Sequence, residues 1–466
     1  MKRKIEEKLK DWKETRNQAL LVKGARQIGK TYIIEHFIKK EFKSYKEVNF
    51  ANNPLALEAF STLKDYSDFK LKLALIFGDI DDSRDSVIFF DEIQLVYRHR
   101  EELKINKPES LYATVDPITL IKEVVQKEKR RYIFSGSLLG INMEGILLNP
   151  IGYMDVFKMY PLDFTEFLWA KGISSTVIDN LKKCFINREK VDNSIHTKML
   201  SLFHEYILVG GMPEAVNNYI NNNNFPRVSN IQEQIIGFYH RDIVTYTNIS
   251  ERLAIQEVFD AIPSELSSKN KRFKKNKLDL KNAKNLDLSD RFLWLTKAGV
   301  ALPTYNVTDV TYPLKLNEQR KTLKLFLNDV GMLSSILLTD DTKKKLLNNE
   351  INVNYGAPFE NVVAQELMCH GYSPLYYFNS KKMGEIDFVL ENNENILPLE
   401  IKSGKSKENS TYDHKALDNV LIKHPNIKEA LVFSEENTFS ENKVITNLPI
   451  YLIEFLINDK PNPFDD

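Results

Sequence analysis

Gly24-Ala25-Arg26-Gln27-Ile28-Gly29-Lys30-Thr31 fits G-x-x-x-x-G-K-[ST], and it stands between an apolar run, ALLV ending at Val22, and a helical stretch, TYIIEHFIKK. In that setting the glycines let backbone N–H groups curl around phosphate oxygens, and the helix N-terminus adds the positive end of its dipole. Lys30 reaches the terminal phosphates and Thr31 can hold Mg²⁺. The whole octapeptide is therefore the candidate contact for ATP or ADP.

Outward from the loop, short apolar runs recur between charged helical stretches: VNF ending at Phe50, VIFF ending at Phe90 and YIF ending at Phe134. Runs this short and this apolar predict parallel strands buried on both faces, joined by crossover helices, hence an α/β domain. VIFF leads into Asp91 and Glu92, so Asp91 is placed to hold Mg²⁺ and Glu92 to polarise the attacking water. The VNF run, falling between the two motifs, predicts a strand inserted between the loop strand and the Asp91 strand. YIF ends at Ser135-Gly136-Ser137, which makes Ser135 a candidate sensor of the γ-phosphate, with a plain glycine turn as the alternative.

The chain has 466 residues, with 64 Lys and Arg against 64 Asp and Glu and 42% hydrophobic residues. That composition excludes a disordered tail, a fibre or a small disulfide scaffold, and its length suggests about three domains. Balanced charge means that any nucleic-acid contact must come from a local cluster. Cys184 and Cys369 match no metal-ligand spacing and point to a reducing compartment. The charged start, MKRKIEEKLKDWKE, has no signal-peptide core and no later run reaches the roughly 20 apolar residues of a membrane span, so a cytoplasmic location without membrane is expected.

Beyond Pro161, PLDFTEFLWA and SLFHEYILVGGMPEAVNNYI change the period to that of helices, and Asn221–Asn224 with Pro226 read as a loop. From Pro263 to Lys284 eight basic residues face two acids, with Lys269, Lys271, Arg272, Lys274, Lys275 and Lys277 around Phe273. Placed before the apolar RFLWLTKAGVAL, this run can present charge to a DNA duplex or be a solvated face. Near the C-terminus, Asp387 in GEIDF and Glu400 and Lys402 in LEIK fall at the ends of adjacent predicted strands. A hairpin holding Asp387 beside Glu400 would concentrate negative charge that a second divalent cation could relieve, with Lys402 orienting water. A surface hairpin with an ion pair gives the same pattern.

GARQIGKT, VIFFDEIQ, YIFSGS, IGYMDVFKMYPLDFTEFL and YILVGGMPEAV together resemble the prokaryotic AAA-type P-loop ATPases that carry a C-terminal domain of uncharacterised function. The resemblance implies an α/β P-loop NTPase core at 1–160, a helical lid subdomain at 161–255, a winged-helix-like segment at 256–345 and a C-terminal α/β domain at 346–466. In related ATPases a GxP element packs near the nucleotide, which would put Gly211 and Pro213 at the ADP end; a helix cap followed by a proline-started helix reads the same residues without a ligand. Where many relatives have a Gly-Arg pair, this chain has Gly152-Tyr153, so no sensor arginine is implied there. Arg26 and Arg241 are candidates to reach a phosphate, in cis or from a neighbouring subunit of a homo-oligomer, and plain surface arginines are the default reading of both.

The C-terminal arrangement resembles the PD-(D/E)xK nuclease fold, with Asp387, Glu400 and Lys402 on its motif and Glu360, or its competitor Glu366, on the preceding helix. Two functions remain open: an ATP-hydrolysing enzyme acting on DNA, whose C-terminal domain cuts it with a metal or holds it, or a signalling or regulatory ATPase whose C-terminal domain is a non-catalytic DNA- or protein-binding module.

Overall fold

The computed structural model describes residues 1–137, 152–247, 249–268, 271, 273, 288–348, 350, 356–403, 414–438 and 444–458. The chain divides into two compact units, Lys2–Tyr160 with Lys297–Gly299, and Pro161–Thr296 with Val300–Asp466. The break between them lies at Tyr160 and Pro161, and positions 255 and 345 both fall inside the second unit.

The first unit is an open α/β fold built on a parallel sheet. Its sheet consists of β1 (Ala19–Gly24), β2 (Ser44–Asn49), β3 (Ser86–Asp91), β4 (Arg131–Ser137) and β5 (Met154–Met159), in the order β2-β3-β4-β1-β5. Every pairing is parallel, so all the strand C-termini line one edge, where ligands of open α/β sheets bind. The strand inserted between β1 and β3 is β4, not the VNF strand, which is β2 at the sheet edge. Burial explains the correction: every residue of β4 is buried, whereas Tyr45 and Glu47 of β2 are exposed, a pattern suited only to an edge. Phe90 of β3 stacks on Phe134 at 5.2 Å and meets Phe60 edge-on at 5.1 Å, which anchors the helix Pro54–Ser61 to the sheet. Such pairs add about 0.5–1.5 kcal/mol each beyond the area they bury.

The second unit carries a seven-stranded mixed sheet. β6 (Ala301–Val307) and β7 (Glu318–Leu327) form one margin; β8 (Leu375–Ser380), β9 (Gly384–Asn392), β10 (Asn395–Ile401), β11 (Ala430–Ser434) and β12 (Ile445–Pro449) complete the order β12-β11-β10-β9-β8-β6-β7. β6 and β7, in the segment read as winged-helix-like, thus extend the C-terminal sheet through the parallel pairing of β6 with β8. Helix Gly356–Cys369 packs on β6, β7 and β8, and helix Lys415–Lys423 packs on β9, where Leu417 and Val420 join Ile386, Val389 and Val432 in the core.

Helices from Phe164–Ala170 to Ile249–Ser267 share this unit. Two sequence motifs meet within it: the Leu162 N–H donates to the Gly211 carbonyl at 2.7 Å, and a Cβ on Gly211 would overlap the Leu162 backbone. Glycine is required there by contact, and at Gly210 by a φ of 77° and by the Asp329 carboxylate lying against it.

Candidate functional site

The glycine loop closes tightly on itself. A Cβ on Gly24 would overlap the Ile28 side chain and the Met159 carbonyl, so only glycine lets the chain turn here. Gly29, at φ 85°, opens the helix Lys30–Glu41. Lys30 is buried, and its Nζ donates to the carbonyls of Gly24 and Ala25 at 3.2 and 2.8 Å. Arg3, which the motif search passes over, underpins the loop: its guanidinium donates to the Ile28 carbonyl at 3.1 Å and to the Tyr160 carbonyl at 2.7 Å.

Beside the loop, Asp91 ends β3 almost wholly buried. Thr31 Oγ1 donates to its Oδ2 at 3.0 Å, the Asn49 side-chain amide donates to the same oxygen at 2.7 Å, and the Ser135 hydroxyl donates to Oδ1. All three partners are neutral, so they orient the carboxylate and leave its charge intact. The sequence brings Thr31, Asp91 and Ser135 forward; Asn49 is the residue that went unread. Its signal was its place as a polar residue at the end of the strand before Asp91, with which it pairs in register.

Glu92 follows at φ 60°, a conformation that non-glycine residues rarely adopt and that turns its side chain away from the run of the strand. The Gln94 amide, fully buried, donates to the Glu92 carboxylate, while its oxygen accepts from the Ser137 N–H at 3.3 Å. A cradle shaped by Gly24 with a neutral-donor carboxylate beside Thr31 fits Mg²⁺, which Thr31 and Asp91 would hold against nucleotide phosphates.

Among the other expected residues, Arg26 is partly exposed in the loop, and the Arg241 guanidinium lies 4.4 Å from the Phe238 ring centre. Gly211 and Pro213 belong to the second unit, where the Gly211 N–H donates to Asp329 Oδ2 at 2.5 Å and Pro213 opens the helix Pro213–Asn222. Burial pushes the Asp329 carboxyl up to about 6, although backbone N–H groups of Gly211, Met332, Gly331 and Met212 pull the other way. Gly152 and Tyr153 are described, and Tyr153 accepts from Gln126 at 2.9 Å. Of the basic run, Lys269, Arg272, Lys274, Lys275 and Lys277 lie outside the described residues; Phe273 is buried against Phe292 at 5.2 Å.

In the second unit, β9 and β10 pair antiparallel up to Phe388 and Leu399, which leaves Asp387 and Glu400 at the same end of the hairpin. Asp387 Oδ2 accepts the Ile401 N–H at 2.8 Å. Glu400 is buried and meets Lys402 Nζ at 3.0 Å and His414 Nδ1 at 3.5 Å. Glu360 reaches this cluster; Glu366 instead accepts from the Phe164 N–H at 3.0 Å and the Tyr206 hydroxyl at 2.9 Å.

Burial and the Glu360 charge raise the Asp387 carboxyl above the ordinary carboxylate range, against Lys324, Lys271 and the Ile401 N–H. The fully buried Lys324 of β7 lies 2.6 Å from Glu385 and 3.5 Å from Glu360. Burial lowers its pKa, but the charges of Glu360, Glu385 and Asp387 raise it further, so it stays an ammonium. Lys271 pairs with Glu360 as well. Neither Lys324, Lys271 nor Glu385 was read as part of this site. The donor set does not fit a divalent cation, because lysine ammoniums already sit on its carboxylates. Among the described residues no three His, Cys, Asp or Glu side chains group as a metal centre, and no helix is long and apolar enough to cross a membrane.

Residues 16–168 match the AAA domain family, and residues 200–343 and 355–453 match two domains of unknown function. An uncharacterised protein of Methanocaldococcus jannaschii is 25% identical over 432 residues, 88% of this chain and 81% of its own. Among solved structures, the Walker-type ATPase of Pyrococcus abyssi is 15% identical with a TM-score of 0.38, over 72% of this chain and 94% of its own. The Aeropyrum pernix ORC1 protein in complex with DNA is 12% identical with a TM-score of 0.30, over 74% and 95%.

Proposed function

We propose that the chain is an ATP-hydrolysing AAA-type switch acting on DNA, whose second unit holds its partner and does not cut it. The observation that carries the ATPase reading is the Asp91 carboxylate, held by Thr31, Asn49 and Ser135 beside the glycine loop. Lys30 is already close to the loop and exchanges the Gly24 and Ala25 carbonyls for phosphate oxygens. Mg²⁺, when bound, supplies positive charge against the phosphates. Glu92, steadied by Gln94, accepts the hydrogen bond of the attacking water, and Ser135 relays the state of the γ-phosphate to Asp91.

DNA is supported by the basic run from Lys269 to Lys277, and the non-cutting role by the ammoniums on the C-terminal carboxylates. ATP and homo-oligomerisation through Arg26 or Arg241 remain parts of the same reading. Its test is ATP turnover with and without duplex DNA, together with a low-salt mobility-shift and cleavage assay. Turnover abolished by Lys30→Ala, with DNA shifted and left uncut, is the expected result; absence of turnover in the wild type overturns it.

A further inference from the structure

We propose that Lys324 is the resident cation of the C-terminal carboxylate cluster, a built-in ammonium that stands where a divalent metal would have to bind. This deepens the non-cutting reading of the second unit and is independent of nucleotide hydrolysis. Glu360 of helix Gly356–Cys369 and Glu385 of β9 both pair with Lys324, and Asp387 of β9 acts on the same ammonium. Carboxylates gathered in this way need positive charge nearby, whatever its source.

Here the charge is supplied by the chain. Lys324 has no exposed surface and bridges Glu385 and Glu360 from β7; Lys271 takes Glu360 from another side, and Lys402 takes Glu400. The Lys324 ammonium also lies 4.9 Å from the Tyr377 ring centre, a further contact that favours a cation in this place. An ion bound by Glu360 or Glu385 at the roughly 2.0–2.6 Å of oxygen ligands would sit beside an ammonium with no path to solvent in which to withdraw. Lysine and metal are therefore alternatives. Because Lys324 comes from a strand at the far side of β8 and β6 from β9, metal exclusion is written into the strand order and not into the Asp387–Lys402 motif.

The test is a Mn²⁺ titration of the full chain without nucleotide, with free Mn²⁺ read by electron paramagnetic resonance. Comparison between variants cancels any Mn²⁺ held at the glycine loop. Lys324→Met should gain one Mn²⁺ per chain over the wild type, Lys324→Met with Asp387→Asn should lose it again, and Lys324→Arg should gain none. A folded Lys324→Met that gains no Mn²⁺ overturns the proposal. So does a wild-type Mn²⁺ equivalent that disappears in Asp387→Asn, and this arm decides the matter even if Lys324→Met fails to fold; equal Mn²⁺ binding by wild type and Asp387→Asn supports it.

Discussion

Both units carry an aspartate on a strand of their sheet, Asp91 at the end of β3 and Asp387 within β9, yet the two are held by opposite kinds of partner. Asp91 accepts from two hydroxyls and an amide, which fix its direction and leave its charge for a cation to use. Asp387 lies beside Glu360, and the charge of both is answered by Lys324 and Lys271. Neutral donors prepare a carboxylate for chemistry, whereas ammoniums consume it as structure. The lesson is that an acidic pattern acquires its function from the charge of its neighbours.

The widest separation between the two regions should appear when their partners are removed. Lys324→Met removes one ammonium from Glu360 and the half-buried Glu385, Glu360 keeping Lys271, and should cost about 3 kcal/mol of stability, measured by urea unfolding; Lys324→Arg should recover most of it. A loss too small to measure would break the comparison, since Lys324 would then be no counter-ion.

Asp329 provides an intermediate case, a buried carboxylate held by backbone N–H groups alone. Its pKa is raised from 3.8 to about 6, so the native chain binds this proton more tightly than the unfolded chain. The contribution is complete below about pH 4 and is lost as pH rises through about 6, by on the order of 3 kcal/mol. Asp329→Asn should flatten that part of the stability profile, as followed by urea midpoints across the interval.

In the first unit, Glu92→Gln should lower kcat for ATP by roughly 100-fold or more, the scale of a lost general base, with nucleotide affinity retained in a binding titration. The smallest effect sharpens the comparison most. Asn49→Ala removes one neutral donor from Asp91, and kcat/KM should fall by roughly 10-fold, the worth of a single hydrogen bond to a charged group. A much larger loss would show that Asn49 does more than orient the carboxylate.

The legibility of the two sites follows the same division. Gly24, Lys30 and Thr31 share one turn and the helix after it, so their mutual placement is imposed by a few backbone dihedrals. Asp91 and Ser135 were readable because each closes an apolar strand, and parallel strands bring their ends to one edge. The strand order was not readable: the polar content of β2 assigns it to the margin and the buried β4 to the centre, a contest decided only when all strands compete for burial. In the C-terminal unit, Asp387, Glu400 and Lys402 stood out as a hairpin pattern, but Lys324 was one lysine among many in an ordinary strand.

By itself, then, the sequence determined the P-loop, the carboxylate pair after the VIFF strand and the α/β character of both units, because short-range periodicity and contiguous backbone geometry specify these directly. Tertiary structure alone decided that β4 separates β1 from β3, that Asn49 joins Asp91, that Glu366 serves the Phe164 and Tyr206 network, and that Lys271 and Lys324 reach Glu360. Such partners are 36 to 202 residues apart. At those separations the chain itself sets no distance between two side chains; burial of the strands and helices between them does.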